Sequence, residues 1–350
     1  MNLTTVPVPT TTAIAVATAA VASTPAAVPS IAGASSLTLE QNTRALLDHA
    51  CAQVLGGQAA AAFRLLTPPL SALWSEARAS GQAEAMRRWC QAHPLHALVM
   101  QDPFTHRAAA KPRGYAGDAV MMDYIYDGAP PAGTSAVGAE VFGATTRAGM
   151  GLSVRYRRQL LRSLIDDAVV RHERPRMLSV AAGHCRELQG SLVECPGFAG
   201  EFVALDQDPL SCQEIAQAHA GHPVRVVNQG VRELAGGQQG GALADALGRF
   251  DLIYSAGLYD YLPDVLARRL TRRLLAMLRP GGRALIANFV PGGSGRGYME
   301  LFMDWALVLR SEAQMRTLAH AAGAAHVNIF ADPPRNVVYA ELWPEAPEVL

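Results

Sequence analysis

Residues 176–188 read RMLSVAAGHCREL, an apolar run of strand length that ends in a turn of small residues. Residues 201–206 read EFVALD, a second such run that ends in an acid. Short aliphatic runs without a polar face belong to strands buried on both sides. The pattern continues downstream: VRVVN (224–228), FDLIYSAG (250–257) and GRALIANFV (282–290) predict strands three to five, with helical periodicity over 211–220 and 264–278. Strand and helix in alternation is the grammar of a parallel sheet covered on both faces. The expected fold is therefore α/β, a doubly wound, mostly parallel Rossmann-like sheet. The tail predicts a helix over 299–310, another over 312–322, and AHVNIFADPPRNVVYAELW (325–343), two alternating strands around a proline turn. An antiparallel C-terminal hairpin thus closes the sheet.

Ahead of this unit the grammar is different. Residues 1–38 are almost wholly Thr, Ala, Val, Pro, Ser and Gly, with no charged or aromatic side chain, and read as a disordered leader. Residues 39–150 predict a helical cap region: 37–71 is rich in Ala and Leu, with Leu46, Leu47, Ala50 and Val54 at helical spacing, and 83–96 continues in the same way. A loop-rich patch is expected over 102–127, DPFTHRAAAKPRGYAGDAVMMDYIYD, then a Pro- and Gly-containing turn over 128–133 and an amphipathic helix over 153–172. The ligand-binding domain is expected over 151–350.

Composition narrows the function. The 350 residues carry thirty Lys plus Arg against thirty Asp plus Glu, which leaves no global positive field to draw in a phosphate backbone. Nucleic acid is not the expected partner; a small-molecule or acyl substrate is. Five cysteines with no CxxC and no matching His spacing indicate neither a disulfide framework nor a metal site. No basic residue precedes the apolar stretch 13–22, which is too short to span a bilayer, so the expected setting is cytoplasmic, with no integral membrane segment.

The chemistry concentrates at the carboxyl ends of the strands, where open α/β sheets take their ligands. Strand one runs into Ala181, Ala182, Gly183, His184 and Cys185, and strand two ends at Asp206, twenty-three residues beyond Gly183. That separation suits an acid that accepts hydrogen bonds from ribose hydroxyls; a solvated loop acid, with Asp208 as a competitor, is the plainer account. Asn228 and Gln229, at the end of strand three, suit an adenine edge or a turn cap. Ser255 and Gly257 end strand four, and Tyr259, Asp260 and Tyr261 follow.

With these strings in order, residues 177–290 resemble the S-adenosylmethionine-binding domain of class I methyltransferases: the glycine turn, the acidic strand-two end, FDLIYSAGLYDYL (250–262) and LRPGGRALIANF (278–289). The Pro280-Gly281-Gly282 turn reads as a helix stop before strand five. A closer likeness, over about 90–343, is to bacterial methyltransferases that make 3-hydroxypalmitic acid methyl ester, an extracellular signal; it rests on 102–126, AGLYDYLPD (256–264) and FADPPRNVVYAELW (330–343). The resemblance implies S-adenosyl-L-methionine as cofactor and methyl transfer to a fatty acid carboxylate. O- or N-methylation of another metabolite, a non-catalytic cofactor-binding module and an NAD-dependent oxidoreductase are the rivals.

The chain departs from the family, in which strand one ends in an acid and the turn holds three glycines: Ser179, Ala181, Gly183 and Cys185 hold the matching positions. On this resemblance Ala181 and Gly183 approach the cofactor, Arg186 and Glu187 in the first turn of the following helix take its carboxylate and ammonium, and Ser255 and Gly257 line its methionine part. A solvated helix start is the alternative for Arg186 and Glu187. Tyr259, Arg113 and Tyr115 are positioning candidates, since an aromatic face attracts a sulfonium and Lys111, the sole lysine, sits with Arg113 in the Gly-rich string KPRGYAGD (111–118). That string suits a lid over the cleft, or a salt-bridged hinge. Trp305 and Arg310, with Tyr115, are the substrate-binding candidates: an apolar helix with an arginine at one end fits an acyl chain and its carboxylate. Arg335 and Asn336 are a weaker second choice. An alcohol or amine acceptor needs a base, for which His184, Asp260 and His106 are available.

Overall fold

In the computed structural model, which describes residues 37–345, the alternating runs form one seven-stranded sheet in the order β3-β2-β1-β4-β5-β7-β6. The strands are β1 (Arg176–Val180), β2 (Glu201–Asp206), β3 (Val224–Asn228), β4 (Phe250–Ser255), β5 (Leu278–Phe289), β6 (His326–Ala331) and β7 (Val337–Trp343). β1 to β5 pair in parallel, and β7 inserts antiparallel between β5 and β6, with Ile286 opposite Ala340. Successive side chains leave a strand on opposite faces. Met177, Phe202, Ala204, Tyr254, Leu285 and Tyr339 accordingly enter one core. Their neighbours Leu178, Val203, Leu205, Ile253, Ile286 and Val338 enter the other.

The second core lies under α10 (Val231–Ala235), α11 (Gln238–Leu247), α12 (Asp264–Ala276) and α14 (Glu312–Ala322). The first core is shared with the N-terminal helices α1 (Leu39–Leu55), α2 (Ala59–Ala79), α3 (Ala83–Ala92), α4 (Pro94–Val99), α5 (Pro103–Ala110), α6 (Ala119–Asp127), α7 (Ala136–Thr146) and α8 (Gly149–Arg171), and with α13 (Arg296–Phe302). α9 (Pro209–Ala218) packs on β2 and β3. Residues 38–345 pack as one unit, and the expected domain division after residue 150 falls inside α8. Among the described residues no helix is long and apolar enough to cross a membrane.

Four expectations change. The leader proposed for 1–38 lies outside the described residues as far as 36, but Thr38 belongs to the fold: its hydroxyl caps α1 in a capping box with Gln41. The patch 102–127 is not loop-rich; Asp102 and Asp118 are helix N-caps that start α5 and α6 and leave only residues 111–118 irregular. The helix expected over 299–310 ends at Phe302, so Trp305 and Arg310 stand on an extended segment after it. Pro280-Gly281-Gly282 lies within β5 at a register shift against β4. Gly281 has φ +74°, and a Cβ at position 282 would lie 2.9 Å from the Phe250 carbonyl oxygen.

Candidate active site

Between the carboxyl edge of the sheet and the N-terminal helices lies a cavity of about 360 Å³, within the range of small-molecule sites. Its polar end is built by the turn after β1. Ala181, Gly183 and Cys185 have φ of +57°, +59° and +50°, the left-handed region, so two residues with side chains hold a conformation that glycine adopts freely. The backbone curls around Asp206 at the end of β2. Asp206 Oδ2 accepts from Gly183 N at 2.8 Å and Oδ1 from Asp208 N at 2.8 Å. Burial pushes the Asp206 pKa up against the pull of these two donors. Each oxygen keeps a lone pair beyond its backbone partner, and the side chain borders the cavity.

The turn is not followed by an α-helix, contrary to expectation; two short 3₁₀ turns, Arg186–Leu188 and Leu192–Glu194, take its place. Arg186 borders the cavity but its guanidinium is committed, donating to both oxygens of Asp123 at 2.8 and 2.7 Å and to Glu214 at 2.8 Å. Asp123 on α6 was missed by sequence reasoning. Burial raises its pKa, but the Arg186 and His184 hydrogen bonds prevail and hold it at about 2. His184 Nδ1 lies 2.7 Å from Asp123 Oδ2, a histidine–carboxylate pair that no sequence spacing announces. Glu187 is buried on the cavity wall and accepts from the Tyr254 hydroxyl.

Residues 111–118 form a strap over this end. Arg113 donates to Asp208 at 2.7 Å and to Ser211 at 3.0 Å, outside the cavity lining, whereas Tyr115 borders the cavity. Burial, then the charges of Asp206 and Asp208, keep the Tyr115 hydroxyl protonated well above the usual phenol range. The far end is latched: Lys111 pairs with Asp304, and Trp305 Nε1 donates at 2.7 Å to the Tyr261 hydroxyl, which donates at 3.1 Å to the Ala116 carbonyl. Gly117 (φ +74°) makes the approach possible, since a Cβ there would lie 2.3 Å from the Trp305 ring.

β4 and the loop after it line the cavity with Tyr254, Ala256, Gly257, Leu258, Asp260 and Tyr261. Asp260 Oδ1 accepts from Phe289 N at 2.7 Å, and burial lifts its pKa to about 6. Ser255 faces the sheet, donating to Val180 O at 2.9 Å. The apolar end is supplied mainly by the cap and α13: Phe63, Phe104, Ile125, Met150, Tyr298 and Met303. Arg157 of α8 also borders the cavity. It is 8% exposed, donates to the Ala256 carbonyl and reaches the Met122 sulfur at 3.5 Å.

Several candidates sit elsewhere. Tyr259 points into the opposite core, its hydroxyl 2.8 Å from that of Thr271. Arg310 is not free for a substrate: its buried guanidinium donates to Asp264, Asn288 and the carbonyls of Tyr259 and Leu262, bracing the loop after β4. Asn228 Nδ2 donates to the Asp206 carbonyl at 3.0 Å, and Gln229 N to the same oxygen at 3.0 Å, so both cap the turn outside the cavity. His106 lies on an outer groove with His96. Arg335 pairs with Glu312, and Asn336 donates to Ser153 at 3.1 Å. The cavity therefore brings together Tyr115, Ala181, Gly183, Arg186, Glu187, Asp206, Gly257 and Trp305 of the expected set.

No family model and no curated protein matches the chain. Among solved structures it is similar to a possible exported protein of Bordetella parapertussis, with 20% identity, 88% of this chain and 98% of that chain covered, and a TM-score of 0.56. It is also similar to the magnesium protoporphyrin IX methyltransferase of Synechocystis with bound S-adenosylmethionine (13% identity, 56% and 83% covered, TM-score 0.39). A third is the N-methyltransferase NodS of Bradyrhizobium japonicum with S-adenosylhomocysteine (14%, 55% and 88%, 0.39). At 20% identity the first of these likenesses is one of fold.

Proposed function

We propose that the chain is an S-adenosylmethionine-dependent methyltransferase acting on a small, largely apolar molecule, with the carboxylate of a 3-hydroxy fatty acid as the acceptor. The observation that carries the reading is the join, in one cavity, of a turn braced on Asp206 at the carboxyl edge of β1 and β2 with an apolar lobe from the cap. Of the cofactor candidates read in the sequence, Ala181, Gly183, Arg186, Glu187 and Asp206 border the first part. The residues fit the cofactor: Asp206 has lone pairs for sugar hydroxyls, the bare Gly183 and the small Ala181 permit close approach, Glu187 is an acid on the cavity wall that would hold the ammonium, and Ala256 and Gly257 leave room beside β4. When bound, it supplies an electrophilic methyl group on a sulfonium.

The protein's own work is alignment and exclusion of water, for which orientation alone supplies about 7 to 11 kcal/mol. The strap with its Trp305–Tyr261 latch closes the polar end. A carboxylate acceptor is ionised at neutral pH and needs no base. A second reading, a hydroxyl or amine acceptor, is favoured by the His184–Asp123 pair, which holds a histidine at the cavity wall in a fixed orientation.

Calorimetric titration with S-adenosylmethionine, S-adenosylhomocysteine and NAD tests the cofactor; uptake of NAD alone ends the proposal. Labelled cofactor offered with a panel of hydroxy fatty acids, amines and phenols then separates the acceptors, and binding without turnover on any of them points to a non-catalytic module. Asp206→Asn should weaken cofactor binding about 10- to 100-fold.

A further inference from the structure

We propose that Arg157 is the carboxylate receiver of the cavity, a role that rests on the methyltransferase reading but reaches beyond it to a residue of helix α8. α8 turns Val154, Arg157, Leu161, Leu164 and Ile165 inward, a spacing at which the core face is otherwise apolar. A guanidinium on that stripe must be stabilised by something. Arg113, Arg186 and Arg310 each pair with an acid, whereas among the described residues no acid oxygen lies within 4.0 Å of Arg157. Its protein partners are the Ala256 carbonyl, the weakly accepting Met122 sulfur and the Tyr126 hydroxyl. Three acceptors for five donors leave part of the fork unused. The carboxylates of Asp260 and Glu187 act on it through space without touching it, so a ligand's carboxylate can take the unused donors directly.

The place fits. Arg157 lies over Gly257, where a Cβ would come 3.7 Å from its Nη1, and so stands between the end of β4 and the cap residues Met122 and Tyr126. This is the seam between the polar and apolar parts of the cavity. A planar fork takes a carboxylate bidentately, which a point charge does not. Two carboxylates qualify chemically: that of the acceptor, with its chain in the apolar lobe, and that of the cofactor's amino-acid end.

The test uses the full chain and needs no turnover. Octanoate and octanamide form one ligand pair, S-adenosylhomocysteine and 5′-methylthioadenosine the other, the second member of each lacking the carboxylate. Arg157→Gln should weaken one carboxylate ligand about 10- to 100-fold and leave its carboxylate-free counterpart within about 3-fold. Loss on octanoate assigns Arg157 to the acceptor, and loss on S-adenosylhomocysteine assigns it to the cofactor. Arg157→Lys, which keeps charge without the fork, serves as a second variant and should lose about 3- to 10-fold on the same ligand. Unchanged binding of both carboxylates by a folded variant overturns the proposal, as does a wild-type chain that takes up neither. Wild-type uptake of octanoate without S-adenosylhomocysteine sinks the methyltransferase reading but leaves Arg157 standing.

Discussion

Replacing Ala181 by glycine should stabilise the protein or leave it unchanged, although alanine-to-glycine changes ordinarily destabilise. Ala181 has φ +57°, where its Cβ crowds the following carbonyl at a cost of roughly 1 to 2 kcal/mol. Glycine removes that strain. Against the gain stand about 0.4 to 1 kcal/mol of added freedom in the unfolded chain and a few tenths for a half-buried methyl group. The sum lies between about zero and 1 kcal/mol of stabilisation. Ala52, exposed in the right-handed helix α1, is the control: Ala52→Gly should lose about 1 kcal/mol. Equilibrium urea unfolding of the three chains, with equal slopes, reads the difference as a shift in midpoint. A loss at Ala181 as large as that at Ala52 refutes the claim that the turn stores backbone strain.

Burial raises the Asp260 pKa to about 6, above the unfolded value near 4, so the folded state favours the protonated form. Its stabilising contribution is complete below about pH 4 and is lost as pH rises to about 6, by roughly 3 kcal/mol. Asp260→Asn lacks this loss, so its stability relative to wild type should climb across that window and level off above it; a constant difference from pH 4 to 8 refutes the assignment. Arg310→Met removes the buried hydrogen bonds to Tyr259, Leu262 and Asn288 and should reduce unfolding free energy by about 3 kcal/mol or more, with ligand affinity unchanged in the folded protein. Weaker ligand binding at unchanged stability would place Arg310 back in the site. Gly117→Ala drives a Cβ into the Trp305 ring and should shift Trp305 emission to the red while reducing global stability by only about 1 to 2 kcal/mol. Emission that stays put would mean the latch does not depend on glycine.

Most of the sheet was legible because β1, β2 and β4 are buried on both faces; β2, the partly exposed β3 and helix α14 have the bounds that pattern alone predicts. The cap was less so. Its short helices rest on aspartate caps at Asp102 and Asp118, and the Pro103 and Gly117 beside them read as loop in a linear scan. The meeting of Gly183 and Asp206 at the cavity was legible because it is sequential, a turn and an acid one strand apart. Arg310 and Tyr259 misled because a long polar side chain next to a cleft gives no hint of which way it turns; here backbone carbonyls of the same loop claim the arginine. Arg157 was within reach of pattern, as a charge on the apolar stripe of α8.

Helix α13 crosses α2 so closely that a Cβ on Gly297 would lie 2.8 Å from the Leu70 carbonyl, and Ser71 fastens the crossing by accepting from Gly297 N at 3.0 Å and donating to the Ser294 carbonyl. Phe63 and Thr67 come from one partner, Tyr298 and Met299 from the other, and all four border the apolar lobe. The lobe is thus assembled from segments more than two hundred positions apart in the chain, one preceding the sheet and one following its fifth strand. Transplanting the N-terminal helices onto another sheet would carry over half a mould. Reshaping the lobe for a different ligand calls for matched substitutions on both sides of that glycine.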